Sequence, residues 1–261
     1  MLEPSLPSGA MSHVQQDQPR GVPPLALTGE RTLPDVPAEN YWYRRHLAVY
    51  EWIAARVAGL RVADLACGEG YGSAVLARRA AEVVGVDANP EAHEHARLRY
   101  KAPNLRFERA LVESFAGPSD AIVFLQTIEH VQDPAALLEG FAAAAPVSYV
   151  STPNRLTLAP EGAEKSDNPW HLREYTHGEY RDLLTPCFAG VEIIGLFHAR
   201  KLRAHELALR LGWDRVHGGL RITKPFYDRF TAAISASDFA LRTSAQANLD
   251  EALDFIAVCR A

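Results

Sequence analysis

Residues 62–76 read VADLACGEGYGSAVL: a short apolar run with an acid near its end, glycines on three alternate positions, then a stretch of helical character. Few features restrict a fold more. A buried strand that gives way to a helix within a few residues must turn sharply, and glycine supplies the backbone conformations such a turn requires. Glycine also admits a ligand closer than a Cβ would allow, and the following helix aims its unpaired N–H groups back at the same point.

The chain repeats this alternation on both sides of the turn. LRVADLA (60–66), EVVGVDA (82–88), NLRFERAL (104–111), SDAIVFLQT (119–127) and PVSYVSTPN (146–154) read as strands, being short β-branched or apolar runs bounded by turn residues. Helical spacing predicts helices over 39–59, 71–80, 89–102 and 133–145. Two of these open on an N-cap followed by proline, Asn89–Pro90 and Asp133–Pro134. Alternating strands and helices define an α/β doubly wound, Rossmann-like sheet with ligands at the C-terminal strand ends. Beyond residue 154 the pattern changes. Residues 155–176 form a long polar and aromatic loop, expected to act as a lid. A short helix (177–190), a sixth strand (191–199), a helical insertion (200–250) and a closing strand (253–261) follow. Residues 1–28, rich in Pro, Gln and Ser, are expected to be a disordered tail, leaving 29–261 as the folded domain.

Composition narrows the partners. The 261 residues are 48% hydrophobic and carry a formal charge of −5, which argues against a duplex-DNA partner. Cys67, Cys187 and Cys259 lie far apart without a CxxC pair, so neither a disulfide framework nor a thiolate zinc site is expected. No apolar run approaches the ~20 residues needed to span a bilayer, and no signal-peptide pattern opens the chain. A cytoplasmic protein with no DNA or membrane partner is the expectation.

The turn itself discriminates among ligands. A dinucleotide fingerprint would need a glycine where Ser73 stands, and Asp64 sits where a pyrophosphate would approach. An acid there suits a ligand with a positive amino group. Asp87, about 20 residues on, stands where a carboxylate takes ribose hydroxyls. An ammonium near Asp64 and a ribose near Asp87 together describe S-adenosylmethionine. Two other readings remain: a nicotinamide-dependent oxidoreductase on the same sheet, and a cofactor-binding protein without turnover.

DLACGEGYG, VVGVDANP, RALVESF and FLQTIEHVQDP in series resemble the motifs of class I S-adenosylmethionine-dependent methyltransferases, in the small-molecule group called type 11/12. That resemblance implies a seven-stranded sheet of order 3-2-1-4-5-7-6 with its last strand antiparallel. It places Ala66, Gly68 and Gly70 along the methionine part of the cofactor, Asp87 and Ala88 at the ribose, Ala110 and Leu111 at the adenine, and Leu125 and Gln126 beside the methionyl group. Ala66 stands where the family often has its first glycine. LTGERTLPDVPAENYWYRRH, CGEGYG, IEHVQDP, VSTPNR and NPWHLREYT further resemble an actinobacterial subgroup linked to methylated polysaccharide synthesis, which implies a sugar or glycerate hydroxyl as the O-methylation acceptor.

Methyl transfer to an alcohol needs alignment and a sink for the hydroxyl proton. Candidates for the second role lie after the fourth and fifth strands. His171 can act as a general base, or Glu129, His130 and His171 can together ligate one divalent ion such as Mg²⁺ or Mn²⁺. The small-RNA 3′-end 2′-O-methyltransferases carry a similar Glu-His pair with a later His, although Gln126 here replaces their first acid. Among Arg44, Arg45 and His46, a cation is expected to take the cofactor carboxylate, and Arg45 is the candidate carried forward. His93 and His95 read as surface residues, and His198 and Lys201, after the sixth strand, either border an acceptor pocket or are likewise surface residues.

Overall fold

The computed structural model describes residues 14–29, 31–160, 162–220 and 222–261. In chain order the elements are α1 (Asn40–Ala54), β1 (Arg61–Leu65), α2 (Tyr71–Leu76), β2 (Glu82–Asp87), α3 (Pro90–Arg99) and β3 (Leu105–Arg109). Then come β4 (Ala121–Leu125), α4 (Pro134–Ala144), β5 (Val147–Pro153), α5 (Arg155–Leu158), α6 (His177–Leu184) and β6 (Gly190–His198). The chain ends with α7 (Arg200–Arg210), α8 (Trp213–Gly219), α9 (Thr223–Ala232), β7 (Phe239–Thr243) and β8 (Asp254–Arg260). The sheet order is β3-β2-β1-β4-β5-β8-β6-β7. The first five strands run parallel, and β8 lies antiparallel between β5 and β6.

Strand burial explains the layering. β4 is buried along its whole length, because helices cover both faces of the sheet. On one face α1 and α2 pack Val49, Ile53, Val75 and Leu76 onto Val62, Val83 and Val123. On the other, α4 and α6 bring Leu138, Phe141, Tyr180 and Leu184 onto Ala63, Ile122, Phe124 and Phe255. The two Pro-initiated helices start as their caps direct. The Asn89 side chain accepts from the N–H groups of Glu91 and Ala92, and that of Asp133 from Ala136 N–H.

Two expectations are corrected. Among the described residues the sheet has eight strands, because the 200–250 segment carries α7, α8 and α9 and then β7, which pairs antiparallel with the outer edge of β6 from Phe239↔His198 to Thr243↔Ile194. The five residues FALRT show little alternation, and pairing with an available edge, not local propensity, makes them a strand. The second correction concerns the N-terminus. Residues 1–13 of the expected tail lie outside the described residues, but 14–28 are fixed to the domain. Gln15 N–H donates to the Leu25 carbonyl while Leu25 N–H donates to the Gln15 side-chain Oε1, Leu25 packs with Leu33 and Val36, and the Pro23 carbonyl is bonded to His95 of α3. Arg99 of α3 reaches Gln18 and Asp35 of the same segment. Proline and glutamine composition is compatible with order here because α3 supplies the partners. Residues 14–29 and 31–36 thus form a strap across α3 and the glycine turn.

Candidate active site

The turn after β1 is built by backbone geometry that few residues tolerate. Ala66, Gly68 and Gly70 all adopt positive φ, at 57°, 55° and 95°. Ala66 holds a left-handed conformation where glycine would carry no Cβ penalty. A Cβ on Gly70 would lie 2.7 Å from Ala96 Cβ, and one on Gly72 would fall 2.1 Å from the Tyr50 ring. The turn is therefore packed tightly against α1 and α3. Gly68 N–H donates to Asp87 Oδ2 at 2.8 Å, and Asn89 N–H donates to Oδ1 at 2.9 Å. These bonds aim the carboxylate at the end of β2 and leave it partly exposed at the mouth of the turn.

Asp64 is placed otherwise than expected. It is fully buried, with Ser73 Oγ donating to Oδ2 at 2.6 Å and Tyr50 OH to Oδ1 at 3.2 Å. Burial pushes its carboxyl up to about 7 against the bonds from Ser73 and Tyr50, with the Asp87 charge adding to the rise. The side chain braces the turn from beneath and presents no open carboxylate to a ligand's ammonium. Ser73, read as the residue that breaks the dinucleotide fingerprint, is its hydrogen-bond donor.

The cations of α1 are also committed elsewhere. Arg45 forms a bidentate pair with Asp254 at the start of β8, Nε to Oδ2 at 2.7 Å and Nη2 to Oδ1 at 2.6 Å, and Nη2 also donates to the Leu253 carbonyl. Both side chains are about 95% or more buried. Arg45 ties α1 to β8 and does not reach toward the glycine turn as a carboxylate ligand. Desolvation pushes His46 down to about 4, so it is neutral at physiological pH, and its Nδ1 meets Thr32 Oγ1 at 3.2 Å. Arg44 bonds to Asn40. The strap also sets Arg31 beside the turn, its Cβ 3.9 Å from a Cβ built on Gly68. Sequence reasoning passed over Arg31, although it lies in the quoted LTGERTLP run.

A second residue it passed over is Glu69, inside the glycine turn. It is 1% exposed and accepts from Tyr100 OH, from Tyr71 N–H and, at 3.0 Å, from His95 Nε2. His95, expected at the surface, is fully buried as the link between Glu69 and the Pro23 carbonyl. The remaining cofactor candidates line the strand ends. Ala88 and Leu111 are exposed after β2 and β3, and Ala110 is half-buried between β3 and Leu111. Leu125 is buried at the end of β4, and Gln126 turns the chain with φ 52°, its N–H and Nε2 both donating to Ser151 Oγ.

Just beyond Gln126 the structure gathers the three predicted chemical residues. One ligand atom each from Glu129, His130 and His171 lie within 4.8 Å of one another, and the two imidazoles are 5.0 Å apart at 72°. The 155–176 loop is pinned to this point: Leu172 and Arg173 N–H donate to the Glu129 carbonyl, and His130 Nδ1 bonds the Trp170 carbonyl at 2.8 Å. In the neutral ring that bond fixes the proton on Nδ1 and the lone pair on Nε2. His171 Nδ1 bonds Glu174 Oε1 at 2.6 Å, and its Nε2 meets Asn168 Nδ2 at 3.0 Å. Burial pulls Glu174 up, but bonds from His171 and Ser166 outweigh it and hold its carboxyl below the ordinary range. Glu129, 2% exposed, is pushed up to about 8 by burial, with Asp254 and Glu174 adding to the rise while Thr152 Oγ1 opposes it. His198 faces Tyr41 OH at 2.7 Å and Glu206 at 2.5 Å, and Lys201 pairs with Asp238, so both are engaged in fixing the insertion.

A doubly wound sheet with a glycine turn after β1, a carboxylate at the end of β2 and a cluster of imidazole and carboxylate side chains beyond β4 is the architecture of a nucleotide-cofactor enzyme of Rossmann type. The comparisons with known proteins specify which. Residues 41–203 match the methyltransferase domain family, so the chain belongs to that family and is an S-adenosylmethionine-dependent enzyme. A protein named as a probable S-adenosylmethionine-dependent methyltransferase in Mycolicibacterium smegmatis is 36% identical over 245 residues, covering 90% of this chain and 94% of its own. A similarly named Mycobacterium tuberculosis protein is 35% identical, covering 90% and 89%. A ubiquinone biosynthesis O-methyltransferase of Psychrobacter cryohalolentis is 33% identical over 58% of this chain and 68% of its own. Among solved structures, an SAM-dependent methyltransferase from Thermotoga maritima shares the fold, with a TM-score of 0.56 at 14% identity over 84% of this chain and 91% of its own.

Proposed function

We propose that the enzyme transfers the S-adenosylmethionine methyl group to a hydroxyl of a sugar-like or glycerate-containing acceptor. The observation that carries this reading is the convergence of Glu129, His130 and His171 just past Leu125 and Gln126, where the sulfonium methyl is expected. Nitrogen and carbon acceptors that carry their own lone pair or acidic C–H make lighter demands on such a cluster. An alcohol needs it, because its proton must leave as the oxygen attacks the methyl carbon and the C–S bond breaks. Trp170 supports a saccharide acceptor: 46% exposed beside His171, it offers a flat apolar surface to the C–H face of a sugar ring. The Psychrobacter relative's name, an O-methyltransferase, points to the same reacting element.

Two nitrogens and one carboxylate suit a divalent ion of the Mn²⁺ or Mg²⁺ kind. The raised Glu129 carboxyl, set among Asp254 and Glu174, is the charge environment that a dication would relieve. We propose Glu129, His130 and His171 as its ligands, with the Trp170 carbonyl and Glu174 orienting the imidazoles from behind. Such an ion lowers the pKa of an acceptor hydroxyl bound to it. His171 is also backed by the Glu174 carboxylate at Nδ1, and this pair favours a second reading in which His171 Nε2, once the acceptor hydroxyl takes the place of the Asn168 amide on it, receives the hydroxyl proton alone. Arg31 is the proposed partner of the cofactor's carboxylate and Asp87 of its ribose.

The deciding assay is transfer of labelled methyl groups to a panel of saccharides and glycerates, with and without EDTA. The ion-dependent reading expects activity to vanish on chelation and return with Mg²⁺ or Mn²⁺, while cofactor affinity is unchanged. It also expects Mn²⁺ binding, followed by its paramagnetic resonance signal, to be lost in His171→Gln. Full activity in EDTA leaves the His171–Glu174 reading, and absence of label in any hydroxyl acceptor overturns the proposal.

A further inference from the structure

The insertion between β6 and β7 has a charge and surface unlike the rest of the chain. Residues 200–232 contain eight lysines and arginines against three acids, in a protein whose net charge is −5. Five of its apolar side chains stand in solvent: Leu207, Leu211, Val216, Leu220 and Ile222, with Leu211 80% exposed. They are surplus to the insertion's own core. The inward side of α7 is Leu202 and His205, and His205 packs on the Phe226 and Phe230 rings of α9. Outward, Arg203, Leu207, Arg210 and Leu211 fall at i, i+4, i+7 and i+8, one stripe of the helix surface. The polar residues that anchor the segment face the body: Glu206 meets His198, and Lys201 meets Asp238. Among the described residues, Arg203, Arg210 and Arg215 form no salt bridge.

We propose that this face docks on an anionic phospholipid surface, leucines entering the headgroup boundary and arginines meeting the phosphates. Leucine and arginine interleaved on one helical stripe is the composition of helices that lie in the plane of a membrane interface, and it requires no spanning run. A second copy of this chain fits the face less well. A two-fold contact through it would set the arginines of one protomer against those of the other, and the cost of like charges opposes such closure. The acidic remainder of the chain is repelled by the same anionic surface, so only this face can approach it, which fixes the orientation. β6 runs parallel to β5, so α7 emerges at the sheet edge that carries the glycine turn and His171. Docking would therefore hold the active-site edge close to the bilayer, within reach of an acceptor carried there.

The test is co-sedimentation of the full chain with vesicles of phosphatidylglycerol and phosphatidylcholine in equal parts, against phosphatidylcholine alone. The expected result is retention on the anionic vesicles only, weakened by high salt. Arg203→Glu/Arg210→Glu should reduce partitioning by at least ~10-fold, from the roughly fivefold attraction each cation contributes near such a surface. Leu207→Ser/Leu211→Ser should abolish retention, while unchanged cofactor affinity shows that the exposed substitutions leave the fold intact. No retention on anionic vesicles, or equal retention of the serine variant, overturns the proposal. A solution dimer that the serine variant dissociates, without vesicle binding, assigns the face to a second copy and overturns it as well.

Discussion

Replacing Arg45 by methionine separates an architectural role from a ligand-binding one. Arg45 and Asp254 are 4% and 1% exposed, and the guanidinium holds both carboxylate oxygens. Methionine keeps much of the stem's packing but leaves Asp254 as a buried charge without its partner. Breaking a buried pair from one side costs about 3–5 kcal/mol, since the remaining ion keeps its desolvation penalty. At about 2–4 °C per kcal/mol for a domain of this size, the melting temperature should fall by roughly 10 °C. The Leu253 carbonyl that Arg45 also holds keeps its bond from Asn154 N–H, so no second orphan is created. In Arg45→Met/Asp254→Leu both charges are gone, and most of the loss should be recovered, because a buried ion pair replaced by apolar groups is often close to neutral. Urea unfolding gives both stabilities, and calorimetric titration with S-adenosylmethionine gives the affinity of each folded variant. The single variant should unfold early yet bind the cofactor within a fewfold of the parent. A stable Arg45→Met protein that loses tenfold or more in cofactor affinity would refute the argument and return Arg45 to the cofactor's carboxylate.

Asp87→Ala should weaken S-adenosylmethionine roughly ten- to a hundredfold by calorimetry, through about 1.5–3 kcal/mol of lost charged hydrogen bonding, and unchanged affinity would remove Asp87 from the ribose site. Asp64 has a folded-state carboxyl near 7 against an ordinary 3.8, so its contribution to stability is full at low pH and is lost as pH rises through about 7. The loss across that window is on the order of 4 kcal/mol. Asp64→Asn should accordingly flatten the decline in unfolding free energy between mildly acid and neutral pH, and parallel profiles for the two proteins would contradict the assignment. Gly72→Ala drives a Cβ into the buried Tyr50 ring and should cost about 1–3 kcal/mol in chemical denaturation, whereas parental stability would mean that α2 slides aside.

The parts of the molecule that were legible in the sequence are those whose chemistry is local. Gly68, Gly70 and Asp87 announce themselves because a tight turn and the carboxylate it bonds must lie within a few residues of strand ends. Glu129 and His130 are adjacent, and His171 sits in a polar loop too long to be a simple connection, so the cluster could be named before its geometry was seen. Arg45 could not be placed the same way: its partner is 209 residues away, and nothing in NYWYRRH separates a buried ion-paired arginine from a solvated one. His95 was misread for a related reason, since the helix PEAHEHARLR looks charged on every side and only the strap makes one side interior. β7 escaped notice because an edge strand depends on the neighbour that it joins. Asp64 carried its acid label correctly but not its orientation, which Ser73 and Tyr50 decide.

The clasp between Pro23, His95 and Glu69 redraws where this enzyme begins. Composition would start the domain near residue 29, and trimming to that point would look harmless. It would in fact remove the carbonyl that His95 bonds and the Gln18 side chain that Arg99 bonds, leaving two of the side chains that hold Glu69 in the glycine turn without these outer partners. Cleaving the chain within residues 14–28 should therefore disturb the glycine turn from the side of α3, through the contacts that hold His95 and Arg99 against it.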